Sequence, residues 1–392
     1  MFASFPTVLF ASFGLVSLLL ALYYAWLMQR YYRHWQALPE WNPPSSYTAR
    51  TSITVIVPAR NEAANIEACL HSILNQAYPT SHYEILVVDD HSTDATPQLV
   101  AQLARLHPHL RLLHLRDAPL AENEGAYKKK AIEWAIQQSR GELLVTTDAD
   151  CWVPPRWLPL LASYYEREDA VFIAAPVNFD RERTAFERFQ SLDFVGMMGI
   201  TGAGIYGAFQ HMCNGANLAY RKTAFYAVGG FSGIDQRASG DDMLLLQKMA
   251  RRFPGRIGFV KNPAATVRTT AMPTIRSFVQ QRLRWASKSR DYPEWRVTLR
   301  LALVFFYCWS ILLAALLLPF FGGPGVLLFL LLLGTKMVVD YAFLRTMSRY
   351  FGRLDLLRSF VVSAWYHLWY IAVVGLLANV VQRYEWKGRV VR

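Results

Sequence analysis

Apolar residues follow two different patterns along this chain. Near both ends they form runs long enough to cross a bilayer as helices, at Val8–Leu27, Leu299–Phe321, Gly325–Phe343 and Phe360–Val381. In the middle, short apolar runs alternate with stretches in which apolar residues recur at every third or fourth position. The first pattern predicts membrane helices, and the second predicts strands that alternate with helices.

The short apolar runs are the predicted strands of the central region. They lie at Ser52–Val57, Glu84–Val88, Arg111–Leu115, Leu143–Thr147 and Val171–Val177. Helices are predicted between them, including one with Ile66, Cys69, Leu70, Ile73 and Leu74 on one face and another over Tyr127–Gln138. This alternation is typical of an α/β fold with a mostly parallel, doubly wound sheet. Ligands bind beyond the carboxyl ends of the strands in such sheets, so we expect the functional site there.

Polar clusters follow three of these strands directly, at Arg60–Glu62, Asp89–Asp90 and Asp148–Asp150. Where strand geometry persists, Asp148 and Asp150 point to the same side. Two adjacent carboxylates repel each other unless a cation lies between them. Mg²⁺ and Mn²⁺ take oxygen ligands and leave positions open for phosphate oxygens. We therefore predict a site for a metal ion and a nucleotide diphosphate; for the acidic pair alone, the alternative is an ordinary acidic loop.

Three further clusters carry candidate chemistry. One lysine among Lys128, Lys129 and Lys130 could reach a diphosphate, and the others are predicted to form a solvated basic face. Asp241 and Asp242 follow Gly240 and open a helix, where aspartate is first a capping residue. Two adjacent aspartates exceed what a cap needs, so one of them is a candidate general base.

The third cluster is Gln281, Arg284 and Trp285, which share one face of a helix predicted from Pro273 to Lys288. Arginine beside an aromatic ring suits a diphosphate and a flat acceptor. The alternative is a basic amphipathic helix on the membrane surface, with Arg276, Arg282 and Lys288 facing lipid headgroups.

Phe186–Ile205 is rich in Met, Phe and Gly, and we predict a flexible apolar element there, near the acceptor or the membrane surface. Gly202–Gly207 formally matches G-x-G-x-x-G, but no clear strand precedes it, which argues against a dinucleotide site. A helix is expected to start at Pro154-Pro155. Lys336 and Asp340 lie four apart in an apolar run, so they are expected to pair within a helix.

Composition supports a membrane protein. Of 392 residues, 53% are hydrophobic, and the formal net charge is +12. No nucleic-acid motif accompanies that charge, and Arg30 and Arg33 flank the first apolar run, as the positive-inside tendency requires of a cytoplasmic side. The four cysteines show no metal-ligand spacing and are expected to be free thiols.

These patterns predict six regions: an amino-terminal transmembrane anchor (1–33), a linker (34–50), a catalytic domain (51–272), an amphipathic interfacial helix (273–298), transmembrane or re-entrant helices (299–382) and a basic tail (383–392). If all four apolar runs cross, the basic tail lies outside, against the positive-inside tendency. The sequence therefore leaves open whether the last run, 360–381, crosses the membrane.

Together these motifs resemble the membrane-bound family 2 glycosyltransferases, which have a GT-A catalytic domain with a Rossmann-like, mostly parallel sheet. The resemblance extends from about Ser52 to Trp285, and Trp386–Arg389 looks like a common ending of the family. Pro58, Ala59, Arg60, Asn61 and Glu62 resemble the first nucleotide-binding loop, and Asp89 and Asp90 the pair that contacts base and ribose. Lys128, three residues before Ala131, resembles the phosphate-binding lysine. Asp148-x-Asp150 resembles the D-x-D metal motif, Asp241-Asp242 stands where the family has Glu-Asp, and Gln281-x-x-Arg284-Trp285 matches Q-x-x-R-W.

The resemblance implies a single inverting displacement that needs Mg²⁺ or Mn²⁺. Asp242 would be the base, and Lys128 and Arg284 would stabilise the leaving nucleotide diphosphate. A UDP-sugar is the favoured donor, and a lipid-like or membrane-embedded hydroxyl at the cytoplasmic face is the favoured acceptor, because the carboxyl-terminal segments are few for a polymer channel. A processive polysaccharide synthase with a glycan acceptor is the first alternative, and a non-catalytic membrane scaffold is the second.

Overall fold

The structure, a computed structural model, describes residues 5–44, 46–119, 126–235, 240–287, 295–380, 384–386 and 389–391. The chain divides into two compact units. We call one the sheet unit, formed by Trp35–Glu182, Ile200–Met272 and Arg383–Arg392. We call the other the helical unit, formed by Met1–His34, Arg183–Gly199 and Pro273–Gln382.

The strands, in chain order, are β1 (Ile53–Ala59), β2 (Tyr83–Asp89), β3 (Leu110–His114), β4 (Leu143–Thr146), β5 (Phe172–Ala174), β6 (Val177–Asp180), β7 (Leu218–Arg221), β8 (Ile257–Phe259), β9 (Val267–Thr270), β10 (Tyr384–Trp386) and β11 (Arg389–Val391). The helices are α1 (Phe5–Ala37), α2 (Ile66–Leu74), α3 (Thr96–Leu106), α4 (Tyr127–Gln138), α5 (Trp157–Glu168), α6 (Ala185–Tyr206), α7 (Lys222–Ala227), α8 (Met243–Arg252), α9 (Ile275–Ser287), α10 (Trp295–Tyr350) and α11 (Phe360–Val380). Short 3₁₀ turns connect some of them.

Seven strands form the central sheet, in the order β3-β2-β1-β4-β7-β5-β8. β1 pairs in parallel with both β2 and β4, in a register that places Ile53 beside Tyr83 and Leu143. Only β7 runs against its neighbours β4 and β5. β2 and β4 are buried along their whole length, as strands covered on both faces are. The predicted α/β fold with a mostly parallel sheet is confirmed.

Helix α2 shows how the apolar pattern specifies the layer that covers the sheet. Its buried residues are Ile66, Cys69, Leu70 and Ile73, four of the five that the spacing of apolar residues predicts to share a face. Burying an aliphatic side chain of this size stabilises a fold by roughly 1.5–3 kcal/mol. Helix α4 covers the residues predicted for it, Tyr127–Gln138.

The prediction of one strand over Val171–Val177 is wrong. The segment forms β5 in the central sheet and β6 in a separate two-stranded sheet, where β6 pairs in parallel with β9. Pro176 lies between the two strands and has no backbone N–H to continue a ladder. Its carbonyl oxygen instead accepts the backbone N–H of Val267 at 3.0 Å, which directs the chain into the second sheet.

The prediction of a flexible apolar element over Phe186–Ile205 is also wrong, because these residues form the regular helix α6. Its glycines permit close packing. A Cβ added at Gly202 would lie 2.9 Å from atoms of both Phe259 and Trp35, and one at Gly204 would lie 2.6 Å from the carbonyl oxygen of Gln210. The G-x-G spacing therefore has a packing reason, which agrees with the rejection of a dinucleotide site.

Several predicted boundaries shift by one to three residues, and that of the linker shifts further. α5 begins at Trp157, two residues beyond Pro154-Pro155. Helix α1 extends to Ala37, into the segment predicted as a linker, and its last residues from Trp35 onward belong to the sheet unit. The ammonium group of Lys261 donates hydrogen bonds to the carbonyl oxygens of Trp35 at 2.9 Å and Leu38 at 2.8 Å.

Among the described residues, three helices are long and apolar enough to cross a membrane: Pro6–Ala37, Trp295–Tyr350 and Leu354–Ala378. The second contains both apolar runs predicted around Gly322–Pro324. Gly322 has a positive φ of 49°, so the helical path breaks there as predicted. The last apolar run lies in the third of these helices, and its crossing stays a prediction.

Side chains inside the helical unit form buried ion pairs. The predicted pair is present, with Lys336 Nζ 2.6 Å from Asp340 Oδ2. The hydroxyl of Tyr24 donates to the other oxygen of Asp340. The prediction that Arg282 faces headgroups is wrong, because its side chain is buried and lies 3.0 Å from Asp193. A buried guanidinium needs such a partner. Lys288 lies outside the described residues.

At the carboxyl end, β10 and β11 pair antiparallel within the predicted basic tail. Arg383, Lys387, Gly388 and Arg392 lie outside the described residues, so the Trp386–Arg389 ending is described only at its two outer positions.

Candidate functional site

The first site loop leaves the carboxyl end of β1 after Pro58 and Ala59, which pair in register with Val88 and Asp89. Arg60 Nη1 donates to the carbonyl oxygens of Asp90 at 2.8 Å and His91 at 2.9 Å. The arginine therefore fastens the loop after β1 to the loop after β2.

Asn61 and Glu62 strengthen the same connection. Asn61 has a positive φ of 51°, a conformation that asparagine tolerates better than most residues. Its Oδ1 accepts the backbone N–H of Thr93 at 2.8 Å, and its own N–H donates to Ser92 Oγ at 3.0 Å. The backbone N–H of Glu62 donates to Thr96 Oγ1 at 2.8 Å. These hydrogen bonds hold the loops after β1 and β2 together at the edge of the sheet.

Asp94 adds to the connection between these two loops by accepting hydrogen bonds from neutral donors. Its carboxylate accepts the backbone N–H groups of Ala63 and Thr96, both at 3.0 Å, and the hydroxyl of Thr96 at 2.5 Å. Burial alone would raise the pKa of Asp94, but these hydrogen bonds outweigh it and lower the pKa below its usual value.

Asp89 and Asp90 end β2 at the same edge. Both side chains are buried. Asp89 accepts the backbone N–H of Ser92 at 3.1 Å and lies 3.4 Å from His114 Nδ1, while Asp90 Oδ1 lies 3.0 Å from His91 Nδ1. The structure thus brings the predicted base-and-ribose residues together with the first loop.

Asp148 and Asp150 follow β4, two strands along the edge from β2. Ligand atoms of Asp148, Asp150 and Cys151 all lie within 4.8 Å of one another. Burial, together with the charges of Asp150 and Asp148, raises the pKa of the Cys151 thiol far above its usual value, so the thiol stays neutral. All four cysteines are free thiols, as predicted. The two carboxylates are the oxygen donors that Mg²⁺ and Mn²⁺ prefer, so this pair fits a hard divalent ion.

Lys128, at the start of α4, reaches into this acidic pair. Its Nζ lies 2.6 Å from Asp148 Oδ1 and 3.3 Å from Asp241 Oδ2. Burial would lower the pKa of Lys128, but the charges of Asp148, Asp241 and Asp242 outweigh it and raise the pKa. Lys128, the residue predicted to contact the diphosphate, is thus bound to carboxylates in this structure.

Asp241 and Asp242 approach from the start of α8. Asp242, the candidate base, is also the N-cap of this helix, and its Oδ1 accepts the backbone N–H of Met243 at 2.7 Å. Both side chains lie near Gly215, where an added Cβ would be 3.6 Å from Asp241 Oδ2 and from Asp242 Cβ, and 3.5 Å from Lys128 Nζ. Residues from α4, the turn after β4, the turn before β7 and the start of α8 therefore converge on one acidic cluster, which we define as Lys128, Asp148, Asp150, Asp241 and Asp242.

The other two lysines differ from the predicted solvated face. Lys129 is buried, and its ammonium group donates to the carbonyl oxygen of Ile234. Lys130 is half-buried. Lys129 therefore supports the turn that contains Ile234, which is a structural role.

Gln281, Arg284 and Trp285 lie together on α9, in the helical unit. Trp285 lies with its ring centroid 6.0 Å from that of Phe194, and the guanidinium of Arg282 lies 4.3 Å from the Trp285 ring. Gln281 Oε1 is buried and makes no hydrogen bond among the described residues. The neighbouring Arg282 is thus part of the support for Trp285, which the Q-x-x-R-W pattern did not indicate.

Two supports of the site were missed from the sequence. Asn217 is fully buried and accepts from Trp157 Nε1 at 2.8 Å while donating to the carbonyl oxygens of Pro176 and Ala265. Thr269 donates to the carbonyl oxygen of Asp150 at 3.4 Å. Asparagine before a strand is a weak signal, and the Thr269 contact depends on β9, which the sequence pattern did not predict.

A mostly parallel sheet with acidic residues beyond the carboxyl ends of β2 and β4 is the GT-A type of α/β fold. Comparison with known proteins agrees with this class. The model of Glycosyl transferase family 2 matches residues 54–229, and that of Glycosyl transferase family group 2 matches residues 143–381, more than half of the chain. The chain therefore belongs to the family 2 glycosyltransferases.

Individual relatives match parts of the chain. Glycosyltransferase AglE of Haloferax volcanii is 34% identical over 36% of this chain and 44% of its own length. The beta-monoglucosyldiacylglycerol synthase of Synechocystis sp. is 26% identical over 67% of this chain and 55% of its own length. The matches thus span about half the length of these relatives.

A solved mannosyltransferase from Pyrobaculum calidifontis shares the fold. It superposes with a TM-score of 0.57 and 21% sequence identity, covering 91% of this chain and 99% of the other.

Proposed function

We propose that this protein is an inverting glycosyltransferase of the membrane. It moves a sugar from a nucleotide-diphosphate sugar, with a UDP-sugar favoured, to the hydroxyl of a lipid-like or membrane-embedded acceptor at the cytoplasmic face. The observation that supports this most is the acidic cluster at the sheet edge, in which Asp148 lies 2.6 Å and Asp241 3.3 Å from the same lysine.

The donor would lie along the edge from the loop after β1 to the acidic cluster. Asp89, Asp90 and the Pro58–Glu62 loop would hold the base and ribose, and Asp148 and Asp150 would hold Mg²⁺ or Mn²⁺. The ion would supply positive charge to the diphosphate. The Pyrobaculum mannosyltransferase was solved in complex with GDP-Man and Mn²⁺, which supports a nucleotide-sugar donor and a divalent ion here.

The proposed reaction is a direct displacement at the anomeric carbon of the donor sugar, with Asp242 as the base. The acceptor oxygen attacks the anomeric carbon while the bond from that carbon to the diphosphate oxygen breaks, and the bonding electrons leave with the nucleotide diphosphate. Asp242 takes the proton of the acceptor hydroxyl. The hydrogen bond that the Met243 backbone N–H donates to Asp242 Oδ1, at 2.7 Å, fixes the orientation of this carboxylate. Displacement from the opposite face inverts the anomeric centre without a covalent intermediate.

Arg284, Gln281 and Trp285 are assigned to the diphosphate and the acceptor. A guanidinium forms paired hydrogen bonds to phosphate oxygens, and an indole ring gives a flat surface for a sugar or lipid headgroup. Asp241 is assigned to positioning, because its contact in the structure is with Lys128.

The acceptor assignment rests on the apolar helices. In the part of the chain that the structure describes, three helices are long and apolar enough to cross a membrane. Arg30 and Arg33 end the apolar part of the first, which favours a multi-pass protein with a cytoplasmic catalytic face. The name of the Synechocystis relative describes synthesis of a glucosyl diacylglycerol, so that protein's product is a lipid.

The test uses membranes that contain the full-length protein. They are incubated with radiolabelled UDP-glucose, UDP-N-acetylglucosamine, UDP-galactose and GDP-mannose, and the products are separated by organic extraction. We expect one donor to give an extractable lipid product with a single added sugar, and excess chelator to stop its formation. Label in high-mass insoluble material would indicate a processive synthase instead, and no transfer from any donor above that of empty membranes would contradict the proposal.

A further inference from the structure

Lys128 contacts Asp148, one of the two carboxylates that would hold the proposed metal ion. Its ammonium group lies 2.6 Å from Asp148 Oδ1 and 3.3 Å from Asp241 Oδ2. The side chain of Lys128 is 19% exposed and that of Asp241 is 11% exposed, so water screens these charges only partly. One cation thus joins the residue that would bind the ion to the segment that carries the proposed base.

An ammonium group and a divalent ion compete for a shared carboxylate. The ammonium group and the ion both bind the ionised carboxylate. If both bound it at once, their positive charges would be close enough to repel each other. Asp148 and Asp150 lie close enough to hold an ion together, so ion binding weakens or breaks the bond from Asp148 to Lys128. The flexible lysine side chain carries a compact charge on a four-carbon stem, which lets it move to a new anion.

We propose that Lys128 is an internal counter-cation that occupies Asp148 until a divalent ion displaces it, and that it then moves to the diphosphate of the donor. This inference rests on the proposed function for the presence of the ion and the diphosphate. The role it adds is that of a positioning residue, because the same side chain pairs with Asp148 and Asp241 before the donor binds and with a phosphate afterwards.

The exchange makes ion binding and diphosphate binding depend on each other through Lys128. The ion alone displaces Lys128 from Asp148 and leaves the ammonium group with the longer contact to Asp241 but no new anion, so the affinity for the ion alone is low. A diphosphate supplies that partner, so its presence raises the affinity for the ion beyond what direct phosphate ligation of the ion contributes. Such a coupling is reciprocal and can be measured as a free-energy cycle.

The test measures Mn²⁺ binding to the detergent-solubilised full-length protein by electron paramagnetic resonance, with no ligand, with UDP and with GDP. In Lys128→Met, which removes the charge and keeps the length, we expect Mn²⁺ alone to bind about tenfold more tightly than in the wild type, since a cation this close to a carboxylate changes its proton affinity by at least that factor. The gain in Mn²⁺ affinity on adding the nucleotide should shrink. Lys130→Met removes the same charge two residues away and should leave both quantities unchanged.

Chelator-treated protein provides an independent readout. Without the lysine charge the carboxylates of the acidic cluster repel each other, so Lys128→Met should unfold at a lower temperature than the wild type in chelator, and Mn²⁺ should raise its unfolding temperature more. An unchanged or weaker affinity of Lys128→Met for Mn²⁺ would overturn the inference while leaving the metal site in place. Failure of the wild type to bind Mn²⁺ even with UDP or GDP would overturn the proposed metal site itself.

Discussion

Two lysine–aspartate pairs of the same length lie in different settings. Lys128 and Asp148 approach to 2.6 Å at the edge of the central sheet, and Lys336 and Asp340 approach to 2.6 Å inside α10. The first pair is partly open, with side-chain exposures of 19% and 35%. The second is nearly closed, with exposures of 1% and 12%.

The surroundings of the two pairs differ in charge as well as in exposure. Asp340 is completed by the neutral hydroxyl of Tyr24, so the closed pair balances one cation with one anion. Lys128 is shared with Asp241, and Asp150 and Asp242 lie in the same cluster. A balanced buried pair stabilises one arrangement of helices, whereas an excess of carboxylates destabilises the free protein and favours binding of a cation. Equal distances therefore do not imply equal roles.

The variant with the largest expected effect changes a residue of the acidic cluster so that the rate of transfer falls while the fold stays stable. Asp242→Asn keeps the size and the ability to cap α8 but removes the proton acceptor. We expect the rate of transfer to fall by about 10²–10⁴-fold. Thermal unfolding and nucleotide binding should stay close to those of the wild type, measured on the same preparation. Wild-type turnover in this variant would remove Asp242 as the base.

Breaking the closed pair of Lys336 and Asp340 should lower the stability of the fold rather than act on the chemical step. Lys336→Met leaves a buried carboxylate without its cation, and we expect a loss of roughly 3–5 kcal/mol in stability, measured by thermal unfolding in detergent. The double variant Lys336→Met/Asp340→Leu removes both charges and should recover most of that loss.

A matched surface control is Asp169→Asn, which suits the positive φ of 47° at this position and removes a carboxylate that is 70% exposed and pairs with Arg221 and Arg256. Exposed ion pairs contribute little, so this variant should unfold close to the wild-type temperature. Equal losses in Lys336→Met and in the double variant would show that the charges of the closed pair do not need each other.

Asp94 sharpens the comparison because neutral donors, rather than a lysine, hold its carboxylate. Its pKa is lower in the folded than in the unfolded protein, so its contribution is present above the unfolded pKa of about 4 and is lost as the pH falls through the folded value. Asp94→Asn should cost about 1 kcal/mol at neutral pH, and the difference from the wild type should shrink in acid. Thermal unfolding of both proteins across that pH range checks this, and a constant difference would exclude the carboxylate charge as its cause.

Much of this architecture can be predicted from local pattern. The alternation of strands and helices, the polar residues after β1, β2 and β4, and the break at Gly322 are local features of the sequence. The helix over Phe186–Ile205 was missed because its glycines suggested flexibility, whereas Gly202 and Gly204 serve close contacts between distant segments. Partners that come from distant segments, such as Asp241 for Lys128 or Asp193 for Arg282, leave no periodic signal.

The proposed mechanism depends above all on Asp148 and Asp150 binding a divalent ion that holds the nucleotide diphosphate. Its most direct test is calorimetric titration of UDP and GDP into the solubilised protein, with Mn²⁺ and with chelator, for the wild type and for Asp148→Asn/Asp150→Asn. We predict that the wild type binds one of these nucleotides tightly only with Mn²⁺, and that the double variant binds it weakly in both conditions. Binding by the double variant as tight as that of the Mn²⁺-loaded wild type would contradict this mechanism.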